Sequence, residues 1–340
     1  MSHSLAAPKT GRSRDRCRGA MRWSGCGTLV LALAASTCPI APAIADGATQ
    51  PTIDSSLVMY EANGSRAFEQ PLGVAIDVRH GEIVVANTGL GRIEFFGNDG
   101  RPSGYFVHRI TDDKGVDRDG LPRHVATTAD GRLLVSDAWA AYVDVCDFRG
   151  RSLDRLALPA PDDRLDEGNG PGAIAVAGDG RILVASRGKA GRVHEFSAEG
   201  KHVRTWGTAG SGPGQLSSVS SIAVAPAGEV VVTCIATDLA VQVFDPAGQY
   251  LRGFGVHDIG PGNFSLPNGV VVTPDSRIWV TDGIRHVVQV FDLTGKLLGM
   301  LGGGEDPGAL FYPSALASDG QGMFALVETG GKRMRLWWVR

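Results

Sequence analysis

The sequence predicts an all-β chain: a six-bladed β-propeller of four-stranded antiparallel blades, closed by an N-terminal strand that completes the last blade. Three observations predict it. A multi-strand unit recurs six times, its copies are evenly spaced, and the strand that the last copy lacks stands ahead of the first. The 47 glycines among 340 residues are close to twice the usual share of about 7%, which fits many turns between short strands.

Each unit opens with a P-x-G-V-A-like strand, passes through a Gly-Arg turn into an apolar strand ending in a polar residue, then runs through a V-x-V-F strand to an x-x-G turn. The copies read PLGVAI with GEIVVAN and RIEFFGNDG; PRHVAT with GRLLVSD and YVDVCDFRG; PGAIAV with GRILVAS and RVHEFSAEG. They continue as VSSIAV with GEVVVTC and VQVFDPAG; PNGVVV with SRIWVTD and VVQVFDLTG; PSALAS with GMFALVE and RMRLWWVR. The second strand ends at Asn87, Asp137, Ser186, Cys234, Asp282 and Glu328, with spacings of 50, 49, 48, 48 and 46. That fits the ~40–50 residues of a four-stranded blade. The sixth unit stops at Arg340 after its third strand. Leu57-Val58-Met59-Tyr60 matches the fourth-strand pattern of His202-Val203-Arg204-Thr205-Trp206 and supplies the missing element, which removes the exposed edges of an open array.

Residues 1–45 read as an export leader and residues 46–340 as a single propeller. Arg12, Arg14, Arg16, Arg18 and Arg22 precede an apolar run from Leu29 to Ala35, and Ala43-Ile44-Ala45 supplies small residues for cleavage. The run is far short of the ~20 residues of a membrane span, and no transmembrane segment follows. The expected location is the periplasm or the exterior. Removing the leader's six basic and one acidic residue leaves 27 basic against 35 acidic side chains, a net charge near −8. No basic stripe remains for a phosphate backbone, which excludes nucleic acid as partner. Cys17, Cys26 and Cys38 leave with the leader, so only Cys146 and Cys234 remain.

The stretches TDGIRHVVQVFDLTGKLLGMLG and GRVHEFSAEGKHVRTWG resemble NHL repeats, and the resemblance covers essentially the whole chain after the leader. It implies the propeller fold. For function it implies a range: protein-binding and RNA-binding modules, extracellular sensors, and amidating lyases that use histidines around zinc with a tyrosine and arginines. Related six-bladed propellers include lactonases with a calcium ion in the channel.

In an up-down meander the first strand of a blade starts on the face where the second ends, so two positions per blade converge on one mouth of the channel. The first-strand set is Leu72-Gly73, Arg123-His124, Gly172-Ala173, Ser220-Ser221, Asn268-Gly269 and Ser314-Ala315; the second-strand set is the six residues already given. Arg123 and His124 replace the small or neutral residues of other blades and are the leading ligand contacts, with Asn268, Asp137, Asp282 and Glu328 beside them. Asn87, Asp137, Asp282 and Glu328 are the candidate metal ligands, since oxygen-rich sites suit calcium or another hard cation. For Asp137 and Asp282 taken singly a structural role weighs more: such carboxylates commonly accept backbone N–H bonds in a following turn.

Only His124 fits an inward slot of the zinc-lyase pattern, whereas His194 and His286 read as solvent-facing. Two acidic loops, Arg109 to Gly120 and Pro159 to Gly170, are expected to rise on the same mouth. Phe96, Phe196, Phe244 and Phe291 recur at one packing position that Cys146 and Trp337 fill in the other blades, and Cys146 and Cys234 lie two blades apart, so both are expected to be free thiols. The expected function is a noncatalytic binding or scaffold module for a protein, peptide or small ligand, acting as a monomer. No cofactor is demanded, with calcium the candidate ion. The alternative is a calcium- or zinc-dependent lyase or lactonase-like hydrolase at the channel mouth.

Overall fold

The six copies of the apolar pattern fold into six four-stranded antiparallel sheets. The computed structural model describes residues 51–112, 114–160, 169–303 and 309–340; the expected leader and most of the second acidic loop lie outside them. Blade 1 is Pro71–Asp77, Glu82–Asn87, Arg92–Gly97 and Pro102–Val107, and blade 2 is Pro122–Thr127, Leu133–Asp137, Tyr142–Cys146 and Ser152–Ala157. Blade 3 is Pro171–Val176, Ile182–Ser186, Val193–Phe196 and His202–Trp206, and blade 4 is Val219–Val224, Val230–Cys234, Val241–Phe244 and Tyr250–Phe254. Blade 5 is Pro267–Val272, Ile278–Asp282, Val287–Phe291 and Leu297–Gly302. Blade 6 takes Pro313–Ser318, Met323–Glu328 and Arg333–Val339, and its fourth strand is Ile53–Met59.

The inner strands neighbour one another all the way round, including blade 6 against blade 1. The N-terminal strand runs antiparallel to the last, with Leu57 opposite Leu336 and Met59 opposite Met334. Side-chain packing confirms its rank as an outer strand. In the third-to-fourth turns of blades 2, 4 and 5, Gly150, Gly248 and Gly295 sit at positive φ, and a Cβ there would strike Phe106, Trp206 and Phe254 of the preceding blade's outer strand. Gly100 of blade 1 makes the same approach to Leu57 and Met59. Glycine is needed twice over in these turns, for the left-handed backbone and for the space.

Blades stack face to face, so the second strands are buried along their whole length save for Glu82 at the start of blade 1's. Between them sit Phe96, Phe196, Phe244, Phe291 and Trp337, each at most 2% exposed, with Cys146 in the equivalent slot packed in the cluster of Phe95, Val135 and Leu133. Cys146 and Cys234 are buried free thiols, and burial pushes the Cys234 thiol up to about 11.

The middle position of the V-x-V-F strand is polar yet buried. It holds Glu94, Asp144, His194, Gln242, Gln289 and Arg335. Gln242 accepts from the Gly214 N–H at 2.7 Å and donates to the Gln215 carbonyl at 2.7 Å, and Gln289 treats Gly262 and Asn263 likewise. His194 therefore does not face solvent as its alternation suggested: it is 1% exposed, with Nε2 3.1 Å from Ser186 Oγ and Nδ1 2.8 Å from Thr205 Oγ1. The alternation rule assumes one wet face, and a third strand flanked by two blades has none. His286 is half-buried, its Nδ1 accepting the Tyr312 N–H at 2.9 Å.

Two measurements test this architecture. A chain of residues 63–340 lacks the strand that completes blade 6 and is expected to lose its cooperative thermal transition, relative to residues 46–340; a melting temperature within a few degrees of the longer chain would overturn the closure. In residues 46–340, thiol titration is expected to find two reactive thiols in denaturant and none in the native protein, because burial protects both.

Candidate functional site

Every inner strand begins with a break in register. Pairing to the second strand skips from Pro71 to Gly73, from Pro122 to His124, from Pro171 to Ile174, from Val219 to Ser221, from Pro267 to Val270 and from Pro313 to Ala315. The residue released by each bulge is Leu72, Arg123, Gly172, Ser220, Asn268 or Ser314. All six line one cavity of about 570 Å³ at the mouth of the channel. A bulge re-aims a side chain without ending the strand, and the sixfold repetition turns that local device into a ring.

Half of the ring has structural work. Ser220 Oγ donates to the Pro267 carbonyl at 2.6 Å, Asn268 Nδ2 to the Pro313 carbonyl at 3.3 Å, and Ser314 Oγ to the Pro71 carbonyl at 3.0 Å. Thr88 Oγ1 reaches the Pro122 carbonyl at 2.6 Å. Each bond ties one blade to the next through the carbonyl of its opening proline. Arg123 makes no such bond, nor any hydrogen bond or ion pair with the described residues.

Beside Arg123 the cavity wall carries His124, Arg187, Ser218, Ile235 and Tyr312. Arg187 is anchored, its Nη1 and Nη2 each 3.0 Å from the carbonyls of Ala138 and Asn169. Burial and the two guanidiniums hold the His124 imidazole well down, to about 3, so it is neutral at physiological pH. Its ring makes no hydrogen bond with the described residues, while its backbone N–H donates to Ser136 Oγ at 3.3 Å. Ser218 and Tyr312 have φ of 51° and 55°, a left-handed conformation that costs non-glycine residues about 1–3 kcal/mol. Among the described residues no aspartate or glutamate lines the cavity.

The second-strand set is placed differently from the sequence expectation. Asn87, Asp137, Asp282 and Glu328 are all fully buried and absent from the cavity wall. Asn87 Oδ1 accepts the Glu69 N–H at 2.9 Å; Asp282 accepts those of Ser265, Leu266 and Arg285 at 2.7, 3.1 and 3.1 Å; Glu328 accepts that of Phe311 at 2.6 Å. Their role is to clamp the connection that enters their own blade's inner strand. Glu328 is also neutralised by Arg333 at 2.6 Å and Arg335 at 2.9 Å. Among the described residues no three His, Cys, Asp or Glu side chains converge to hold a metal ion. The four expected oxygen ligands therefore lie one to a blade, each bonded to backbone N–H groups near its own strand end and away from the cavity wall.

Asp137 accepts the Trp139 N–H at 2.8 Å and has a second neighbour that the sequence reading missed. His108, 1% exposed, places Nε2 3.6 Å from Asp137 Oδ2 and Nδ1 3.9 Å from Asp144 Oδ2. Burial pushes His108 down to about 4 and Asp137 up to about 6. His108 thus favours folding fully above its ordinary value of 6.5 and loses this as pH falls toward 4, while Asp137 favours folding below 3.8 and loses this as pH rises through 6. The other residues missed were Arg187, Ile235 and Tyr312. Arg187 and Ile235 each directly follow a second-strand end, so their shared position was the available signal.

The first acidic loop forms a hairpin, Arg109–Thr111 with Asp117–Asp119, whose Arg118 stacks over Trp139 at 4.3 Å. Asp112 caps its tip by accepting the Lys114 and Val116 N–H groups at 3.0 and 2.9 Å.

No family model matches the chain, and no curated protein matches it by sequence. Solved structures do. A selenomethionine-substituted virginiamycin B lyase from Staphylococcus aureus superposes with a TM-score of 0.57 at 14% identity, covering 84% of this chain and 99% of the lyase. A streptogramin B lyase gives 0.56 at 15% identity, covering 84% and 88%. A protein of unknown function from Bacteroides thetaiotaomicron VPI-5482 gives 0.61 at 16% identity, covering 86% and 76%. At these identities the likeness establishes the six-bladed fold.

Two substitutions test the clamps. Glu328→Gln leaves Arg333 and Arg335 facing a neutral amide and is expected to cost about 3 kcal/mol or more in denaturant unfolding. Added calcium is expected to leave the melting temperature of the wild type unchanged; a rise that Glu328→Gln abolishes would make these carboxylates ligands. Gly120→Ala would drive a Cβ into Asp137 Oδ2 and His108, and is expected to cost about 1–3 kcal/mol.

Proposed function

We propose that this chain is an exported, NHL-type binding module of the periplasm or exterior, monomeric and noncatalytic, whose protein, peptide or small-molecule ligand presents an anionic group to Arg123 at the channel mouth. One observation carries the reading: among the described residues, the Arg123 guanidinium has no partner and no carboxylate lines its cavity. An unpaired charge in a partly enclosed site is costly unless a ligand completes it. Arginine's planar fork suits carboxylate or phosphate oxygens. The NHL assignment rests on the repeat pattern, and export rests on the basic and apolar leader.

A second reading, a lyase, is favoured by one specific feature. The His124 imidazole is neutral, makes no hydrogen bond with the described residues and stands beside two guanidiniums, the arrangement of a base near groups that stabilise negative charge. Two of the similar structures are a virginiamycin B lyase and a streptogramin B lyase. Consumption of virginiamycin B followed by chromatography, with and without added divalent cations, separates the readings. A noncatalytic module leaves the compound intact, whereas turnover that His124→Gln abolishes establishes the lyase.

For the binding reading, acetate and phosphate are expected to raise the melting temperature of the wild type in proportion to occupancy. Arg123→Ala is expected to weaken that binding by at least about 1 kcal/mol while shifting intrinsic stability by about 0.5 kcal/mol or less. Charge reversal at Lys201, in a turn on the opposite face, serves as control. Equal anion binding by wild type and Arg123→Ala, with loss in the control, would place the functional face on the other side.

A further inference from the structure

We propose that the ligand taken by the channel mouth is a small amphiphilic monocarboxylate, its carboxylate on Arg123 and its apolar body against Ile235, Val219 and Tyr312. This rests on the anion-binding reading above and adds the class of ligand to it.

The wall of the cavity is divided by blade. Its cations, Arg123 and Arg187, come from blades 2 and 3, whereas blade 4 and the connection into blade 6 contribute Val219, Ile235 and the Tyr312 ring. Ile235 remains 39% exposed although it lines the cavity, so its apolar surface is available to a bound molecule. The surroundings repeat the theme. Trp139, Ile284 and Phe311, respectively 39%, 57% and 53% exposed, all lie in connections on this face. Among the described residues the turns of the opposite face expose one large apolar side chain, Val78. A concentration of exposed apolar residues on one face marks a binding surface.

The free donors set the head group. Both terminal nitrogens of Arg187 are held by carbonyls, which leaves the Arg123 guanidinium as the one cation in the wall with no bond to the described residues. One fork accepts one planar carboxylate through two parallel bonds. A phosphate dianion would find the second guanidinium of the wall, Arg187, with its terminal nitrogens already held by carbonyls. Asn268 and Tyr312 offer neutral polar groups beside it. A volume of about 570 Å³ falls in the range of about 300–1,000 Å³ typical of small-molecule sites. Two sources present this chemistry: a medium-chain fatty acid, and the C-terminus of a short apolar peptide.

Calorimetric titration of residues 46–340 with acetate, decanoate, decanol, acetyl-Leu-Leu free acid and acetyl-Leu-Leu amide tests the proposal. The expected result is decanoate or the peptide acid binding at least tenfold more tightly than acetate, with decanol and the amide far weaker. The tighter of decanoate and the peptide acid identifies the source. Arg123→Gln is expected to lose at least tenfold toward both acids, and Ile235→Ser to narrow the gap between decanoate and acetate. Acetate bound through Arg123 with no gain for either larger acid would overturn the amphiphile and leave the anion reading standing. No dependence on Arg123 for any acid would overturn both. Decanol binding as tightly as decanoate would show an apolar site without a carboxylate seat.

Discussion

In each inner strand one residue drops out of the hydrogen-bonding ladder, and the construction of the channel mouth follows from that break. The bulge turns the released side chain toward the axis, and the prolines just before it in four blades, Pro71, Pro122, Pro267 and Pro313, offer their carbonyls to the previous blade. Three of the six released side chains use that geometry to fasten blade to blade: Ser220 on Pro267, Asn268 on Pro313 and Ser314 on Pro71. A hydrogen bond of this kind contributes about 0.5–1.5 kcal/mol net, and its location at the inner rim, where the blades converge, fixes their angular spacing. Arg123 occupies the same released position without taking part. The fold holds its mouth together with one part of the ring and exposes a charged side chain with another.

Buried polar groups complete the same economy. A propeller joins each blade to the next by a connection that crosses the mouth, and the backbone of that connection needs partners. Asn87, Asp282 and Glu328 supply them from the ends of the second strands, and Gln242 and Gln289 supply them from the middle of the third. Where the chain departs from this scheme the groups are less well paired. In blade 2, Asp137 and His108 stand 3.6 Å apart, beyond ordinary hydrogen-bond range, next to Ala138, whose carbonyl anchors Arg187. The irregular blade is the one that carries Arg123 and His124.

The fold was legible because a repeat states the same structural instruction six times, so errors at one copy are corrected by the others. The first-strand set was legible for the same reason: Leu72, Arg123, Gly172, Ser220, Asn268 and Ser314 share one repeat position, and the structure gives them one fate. The second-strand set shares a repeat position too, but sequence cannot say which way a strand-end side chain turns. Asp282 turns to its own connection, since three backbone N–H groups there are a better match for a carboxylate than an open channel. His194 was misplaced because alternation along a strand implies a wet face that the stacked blades remove. Tyr312 enters through a left-handed backbone conformation that no pattern announced.

The charge of the chain as a whole constrains how any anion reaches the mouth. The chain is acidic, at −3 counted whole, and its acidic hairpin stands near the mouth at Asp117 and Asp119. At physiological ionic strength such charges are screened beyond about 8 Å, so the protein neither attracts nor strongly repels an anion until it arrives. Selection then depends on short-range contacts: the Arg123 fork, the neutral imidazole of His124, and the apolar surface of Ile235 and Tyr312. Burial and its cationic neighbours keep His124 uncharged across the physiological range, so the cavity keeps one constant electrostatic character as pH varies. On the proposed binding reading, recognition comes from the fit of the bound state, and specificity resides in dissociation rather than in steering.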